Sequence, residues 1–172
     1  MRIDPITPQD QPWSQDVLQE RWNGYEVVTR GKIHDASRLP GFIARTNNSL
    51  QLRTGRVLPV GEPVGLVTYI IEEGACEIVT LDSLFEGLSI GSELVMAVRR
   101  VAEQAGCTRL WLITTNDNTH AIRFYQKRGF HLAQAYPNAI EASRKLKPAI
   151  PLIGYDNIPI RDELEFEYPL KR

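Results

Sequence analysis

At 172 residues the chain has the length of a single domain with room for a substantial core. Hydrophobic residues make up 42% and charged residues 24%, close to soluble averages, which argues against disordered and membrane classes. A formal net charge of −1 gives no electrostatic footprint for nucleic acid or an anionic membrane surface. No apolar run approaches the roughly 20 residues that a bilayer span requires. The start, Met1-Arg2-Ile3-Asp4-Pro5, has no signal-peptide core. Cys76 and Cys107 stand alone, without metal-ligand spacing or a disulfide framework. These features set the expectation of a cytoplasmic protein without metal, nucleic-acid or membrane partners.

Trp13, Val17, Leu18, Arg21 and Trp22 recur at helical spacing and predict an amphipathic helix over residues 12–22. Residues 25–30 are rich in β-formers, residues 31–39 fit no single period, and residues 41–44 read as a strand. Turn formers crowd residues 47–63, which fit either a long loop or a hairpin. Residues 64–71, a turn at Glu72-Glu73-Gly74 and residues 76–84 form an antiparallel hairpin.

Ile90, Leu94, Val98, Val101 and Ala105 share one helix face, and Gly106 suits a left-handed cap. Residues 109–114 are an apolar run too short for a helix. Following a strand and a helix, they complete a β-α-β unit with a locally parallel pair. Asp117 or Asn118 can N-cap a short helix that Gly129 ends. A strand over 130–136 and a helix over 139–147 follow, with Pro148 as the stop, and residues 150–160 are irregular. Leu164, Phe166 and Tyr168 alternate with Glu163, Glu165 and Glu167, which predicts a half-buried last strand with an acidic, solvated outer face. Trp13, Trp22 and Trp111 read as core packing. No linker or repeat divides the chain, so residues 1–172 read as one α/β domain with a mixed sheet.

Two segments carry chemistry. Glu86-Gly87-Leu88-Ser89-Ile90-Gly91-Ser92 is a strand-to-helix turn whose first-turn N–H groups and helix dipole favour an anion. Alone it is equally a capped helix with Ser89 or Ser92 as N-cap. The second segment, Asn118 to Phe130, sets an Asn before a short helix, a Tyr within it and Gly-Phe at its end. Asn118, Ala121, Phe124, Tyr125, Lys127, Gly129 and Phe130 match the pattern Asn-x-x-Ala-x-x-Phe-Tyr-x-Lys-x-Gly-Phe of the GNAT superfamily of N-acetyltransferases, which the chain resembles over residues 60–135. Glu86, Ser89 and Gly91 occupy the marked positions of that family's Arg/Gln-x-x-Gly-x-Gly/Ala turn. Residues 137–172 fit its outline as a helix, a loop and a last strand.

The resemblance implies a GNAT fold, a mixed sheet with a splayed central strand pair, and acetyl-CoA as donor. The strand ending at Leu81-Asp82-Ser83 would part from the 110–114 strand, often through a β-bulge, and bond the pantetheine arm like an added strand. Backbone N–H groups around Gly87, Leu88, Ser89, Ile90, Gly91 and Ser92 would hold the pyrophosphate. Asn118 would contact the cofactor arm, Lys127 completes the pattern, and Tyr125 would protonate the departing thiolate. Glu77 lies where family members often carry a base, or is an exposed strand residue. Its odd separation from Asp82 predicts that the two face opposite sides.

Glu86 stands where the family usually has Arg or Gln, Leu88 where a basic residue is common and Ser89 where glycine is expected. The main chain would do most of the holding, Ser89 could donate from its N–H and hydroxyl, and Arg123, Lys127 or Arg128 could supply the missing charge. His34-Asp35 could line an acceptor site but reads first as a surface loop pair, and His120 and His131 read as surface residues. The expected reaction is acetyl transfer to the primary amine of a small-molecule or peptide acceptor by direct attack in a ternary complex. A catalytically silent acyl-CoA-binding or regulatory module is the alternative. An edge strand offers a route to a homodimer.

Overall fold

The computed structural model describes residues 1–170. In chain order the elements are β1 (Arg2–Pro5), α1 (Gln11–Trp22), β2 (Glu26–Thr29), β3 (Lys32–Asp35), β4 (Gly41–Arg45), β5 (Leu50–Gln51) and β6 (Val57–Leu58). The chain continues through β7 (Pro63–Glu72), β8 (Ala75–Ser83), α2 (Ile90–Gln104), β9 (Arg109–Thr115) and α3 (Thr119–Gln126). It ends with β10 (His131–Tyr136), α4 (Ala139–Leu146) and β11 (Glu163–Pro169).

Seven strands form one sheet in the order β1-β4-β7-β8-β9-β11-β10. Every pairing is antiparallel except β8 with β9, which the α2 crossover makes parallel. The β7–β8 hairpin closes through Glu73 and Gly74, both at positive φ (50° and 75°), a turn whose twist matches the strands. β2 and β3 resolve the aperiodic 31–39 region into a hairpin, and β5 and β6 settle residues 47–63 as a small one. β1 has no counterpart in the sequence reading, because four residues ending in proline carry too short an alternation to register.

Each sheet face buries its own cluster. Leu94, Val98 and Ala102 of α2 pack on Val64, Val67, Cys76, Ile78, Leu110, Leu112 and Phe166. Val17 and Leu18 of α1 pack on Val27, Ile43, Leu66 and Val79 across the opposite face.

Two features of the sheet shape the site. Pairing between β8 and β9 runs from Ala75↔Arg109 to Ile78↔Leu112 and stops there, while the strands continue to Ser83 and Thr115. The central pair therefore splays. Just beyond that point β8 carries a bulge. Thr68 pairs with Thr80 and Tyr69 with Ile78, leaving Val79 as the extra residue.

The bulge corrects the expectation that Glu77 and Asp82 face opposite sides. One inserted residue reverses the alternation, so Glu77, Thr80 and Asp82 all stand opposite Ile70, Thr68 and Leu66, on the α1 face. The last strand also departs from its reading. Glu163 and Glu165 are 1% and 7% exposed, because α4 and the β2–β3 hairpin cover the face that alternation alone assigned to solvent.

Candidate active site

The turn after β8 uses two left-handed residues, Gly87 (φ 76°) and Ser89 (φ 57°), to swing the chain into α2. Ser89 is the N-cap without a side-chain capping bond, so its conformation and not its hydroxyl sets the turn. Gly91 serves packing. A Cβ there would meet the Phe124 ring at 3.0 Å, so glycine lets α3 lie close against the first turn of α2. Glu86 is exposed and its charge is solvated.

Charge reaches this turn from α3. The Arg128 guanidinium stacks on the Phe124 ring at 3.5 Å, donates to Phe124 O at 2.8 Å and donates through Nε to Ser92 Oγ at 3.0 Å. Its second bond to Ser92 Oγ comes from Nη2. Of the three basic residues the sequence offers, Arg128 is the one bonded to the start of α2. Lys127 and Arg128 line an open cavity of about 520 Å³ with Ser92, Met96, Arg99 and Tyr168.

Asn118 caps α3, its Oδ1 accepting from Ala121 N–H at 3.0 Å, which leaves the side-chain amide N–H groups for another partner. The preceding Asp117 is buried, with Oδ2 accepting from Tyr155 N–H and Oδ1 unpaired among the described residues. Tyr125 is 6% exposed and is held edge-on between Phe124 and Phe130, with ring centroids 5.0 and 5.3 Å away. Burial raises its pKa, the Asp82 carboxylate raises it further, and Arg128 opposes both. The phenol therefore stays protonated through the neutral range.

The open half of β8 presents unpaired backbone. Leu84 N–H donates to Val64 O at 2.9 Å, and alternation along the ladder then turns the peptide groups of Asp82 toward β7. Those of Leu81 and Ser83 point into the gap facing β9.

The α1 face of the gap is polar. Asp82 Oδ2 accepts from Trp22 Nε1 at 2.9 Å, a bond that fixes the last residue of α1 over β8. Lys147 supports this end of the helix by donating to Trp22 O and Glu26 O at 2.6 and 2.7 Å. Trp22 thus does more than fill the core, and no local signal in the sequence pairs it with a residue sixty positions away.

Glu77 is buried in the closed half of β8, opposite Trp111, with Thr29 and His34 above it. His34, expected at the surface, is buried. It is 5% exposed on β3, with Nε2 at 3.0 Å from Thr29 Oγ1 and 3.8 Å from Glu77 Oε2. Burial lowers the His34 pKa, as does Lys32, so the contact with Glu77 is not an ion pair at neutral pH. Glu77 Oε1 has no partner among the described residues, and burial pushes this carboxyl up to about 7.

The neighbouring acids are satisfied. Glu163 accepts from Arg30 Nη1 at 3.1 Å and Ser143 Oγ at 2.9 Å. Glu165 accepts from Arg109 Nη1 at 2.7 Å and the Tyr136 hydroxyl at 2.8 Å. No group of three His, Cys, Asp or Glu side chains suited to a metal stands among the described residues. Nor is any described helix long and apolar enough to cross a membrane.

A splayed parallel pair, a glycine turn at its mouth and a tyrosine from the following helix define the fold class of acyl-CoA-dependent acetyltransferases. The sequence pattern of the acetyltransferase (GNAT) family matches residues 12–130, and the chain belongs to that family. It is 42% identical to the uncharacterized protein YdhI of Bacillus subtilis over 151 residues, 88% of this chain and 87% of that one. Among solved structures, a GNAT family acetyltransferase from Elizabethkingia anophelis with acetyl-CoA bound superposes with a TM-score of 0.65 at 19% identity, covering 98% and 97% of the two chains. A Bacillus subtilis acetyltransferase in complex with CoA gives 0.64 at 17% identity, covering 99% of each. At such identities the likeness to solved structures is one of fold.

Proposed function

We propose that the protein transfers the acetyl group of acetyl-CoA to a primary amine by direct attack in a ternary complex. The observation that carries this reading is the gap between β8 and β9, with free peptide groups on one wall and Tyr125 in the same core cluster as Leu81 of that wall. Leu81 and Ser83 would pair with the pantetheine arm as an added strand. N–H groups of residues 88–92 and the Arg128 guanidinium would hold the pyrophosphate, the side-chain amide of Asn118 would steady the arm, and Lys127 would face the nucleotide end. This assigns to Arg128 the charge that Glu86, Leu88 and Ser89 do not bring.

An alkylamine is mostly protonated at pH 7 and attacks a thioester only as the neutral base. The reaction therefore needs a proton acceptor on the amine and a donor for the thiolate. Tyr125, kept neutral by burial, is the donor. The acceptor would be a carboxylate on the α1 face of β8, where Glu77, titrating near neutrality, is the one anticipated from the sequence. The edge strand β10, whose residues 131–135 are exposed, offers one route for pairing two copies.

The test incubates the protein with acetyl-CoA and panels of polyamines, aminoglycosides, amino acids and peptide N-termini. Free thiol is followed and products are identified by mass. Amine-dependent thiol release with an acetylated product is expected. Tight acetyl-CoA binding without thiol release across every panel would favour a silent binding module.

A further inference from the structure

We infer that Asp82 is the carboxylate that receives the acceptor's ammonium at the reaction centre. The inference rests on the acetyl-transfer reading above.

Position singles Asp82 out. The Val79 bulge turns its side chain to the α1 face, and it lies past Ile78↔Leu112, in the half of β8 that has parted from β9. Its neighbours Leu81 and Ser83 present the free peptide groups of the gap, so its carboxyl stands beside the wall along which the thioester would lie. Trp22 Nε1 occupies Oδ2, while Oδ1 has no hydrogen-bond partner among the described residues. Tyr125 lies in the cluster on the α2 and α3 face that also packs Leu81, the residue next to Asp82, and the Asp82 charge raises the pKa of its phenol. Proton acceptor and proton donor then flank one gap from opposite faces.

The other acids fit this role less well. Glu163 and Glu165 are engaged by Arg30, Ser143, Arg109 and Tyr136. Glu77 lies in the closed half of β8 beneath the β2–β3 hairpin.

The chemistry balances without a further reactant. Oδ1 accepts a hydrogen bond from the ammonium and takes its first proton, freeing the nitrogen lone pair. That pair forms the C–N bond at the thioester carbonyl carbon, and the C=O π pair moves to oxygen. When it returns, the C–S bond breaks and the sulfur takes the Tyr125 phenol proton. The nitrogen loses its second proton, one proton restores the phenol, and Asp82 gives its own to solvent. Ammonium and thioester become amide, thiol and one released proton.

Two amines of different charge test the assignment with the full-length protein. n-Butylamine is a cation at pH 7, whereas hydroxylamine is an uncharged nucleophile there and needs no ammonium partner. Asp82→Asn should lower kcat/KM for n-butylamine by about 100-fold, as expected for loss of a general base, and by at least tenfold less for hydroxylamine. Acetyl-CoA titration of the variant should reproduce the wild-type affinity and so report an intact fold.

Trp22→Phe gives an independent readout. The groups facing Asp82 are Trp22, Arg21 and Tyr125, and the Trp22 N–H favours the charged carboxylate. Removing it should move the acid limb of the n-butylamine profile upward from near pH 6. Equal losses for both amines, an unchanged n-butylamine rate, or a loss carried by Glu77→Gln instead would overturn the assignment. Wild-type protein that binds acetyl-CoA yet acetylates neither probe would overturn the acetyl-transfer reading itself.

Discussion

Helices α2 and α3 cover one face of the sheet with aliphatic and aromatic side chains, and the groups proposed to meet a ligand on that side are mainly peptide N–H groups and one guanidinium. Helices α1 and α4 and the β2–β3 hairpin cover the other face, where Glu77, Glu163 and Glu165 are buried among Arg30, Arg109, His34 and Ser143. The first face would meet a donor common to the whole family, which main-chain geometry can recognise whatever the side chains. The second would meet an acceptor particular to this protein, and it carries buried charge at a cost in stability. The proposed donor face should therefore tolerate side-chain change except at Tyr125, while the acceptor face should respond in stability and pH dependence.

The largest expected effect tests the donor face at its one chemical group. Tyr125→Phe should lower kcat by about 10- to 1000-fold, the usual span for an acid, and leave acetyl-CoA affinity nearly unchanged. The ring still fills its place between Phe124 and Phe130, so melting temperature should hold. An unchanged kcat would remove the phenol from the reaction and leave the donor face without a proton source.

Glu77 probes the cost of the acceptor face. Its carboxyl pKa rises from 4.5 to about 7, chiefly through burial. Between those values the native state holds more protons than the unfolded chain, so stability falls as pH rises through this window. Glu77→Gln removes the titration. The variant should exceed wild type by about 2 kcal/mol at pH 8, some 4–8 °C in Tm, and lose that advantage at pH 5. Equal melting curves at both pH values would mean that the carboxylate is solvated and the face carries no such cost.

Arg128→Ala should raise the dissociation constant for acetyl-CoA by about tenfold, the scale of one charged hydrogen bond. Arg100→Ala, an exposed site on the same helix pair, should leave it unchanged. Calorimetry at two salt concentrations should show a weaker salt dependence for Arg128→Ala, because the removed contact is ionic. Equal affinities for the variant and wild type would return the phosphate site to main chain alone.

The segments proposed to meet the donor were legible because their motifs are local. Asn118, Tyr125 and Gly129 precede, occupy and follow one short helix, and the 87–91 turn announces itself through glycines. Helical period and the β-α-β order supplied α2 and the parallel pair. The acceptor face was less legible because it depends on a register defect and on distant partners. Nothing in Thr80 or its neighbours marks Val79 as a bulge, so simple alternation put Glu77 and Asp82 on opposite sides. Alternation likewise exposed Glu163 and Glu165, since it separates the faces of a strand without telling which of them another element covers. His34 was misjudged for the same reason: its partners Thr29 and Glu77 become neighbours only once the hairpin folds over β8.

The smallest effect concerns the position where this chain departs from its family's turn. Ser89 holds φ 57° and ψ 15° at the N-cap, with no capping bond from its hydroxyl. An L-residue in that region pays roughly 1–2 kcal/mol, whereas glycine adopts it freely but loses roughly 0.5–1 kcal/mol more to chain entropy on folding. Ser89→Gly should therefore stabilise by under about 1 kcal/mol, a rise of no more than about 3 °C in Tm. Its N–H remains where a phosphate would meet it, so acetyl-CoA affinity should stay within about twofold if main-chain donors hold the phosphate. A fall in Tm together with a several-fold loss of affinity would show instead that the serine hydroxyl binds the phosphate. The strained backbone would then be part of the ligand site, and the donor face would depend on side chains as the acceptor face does.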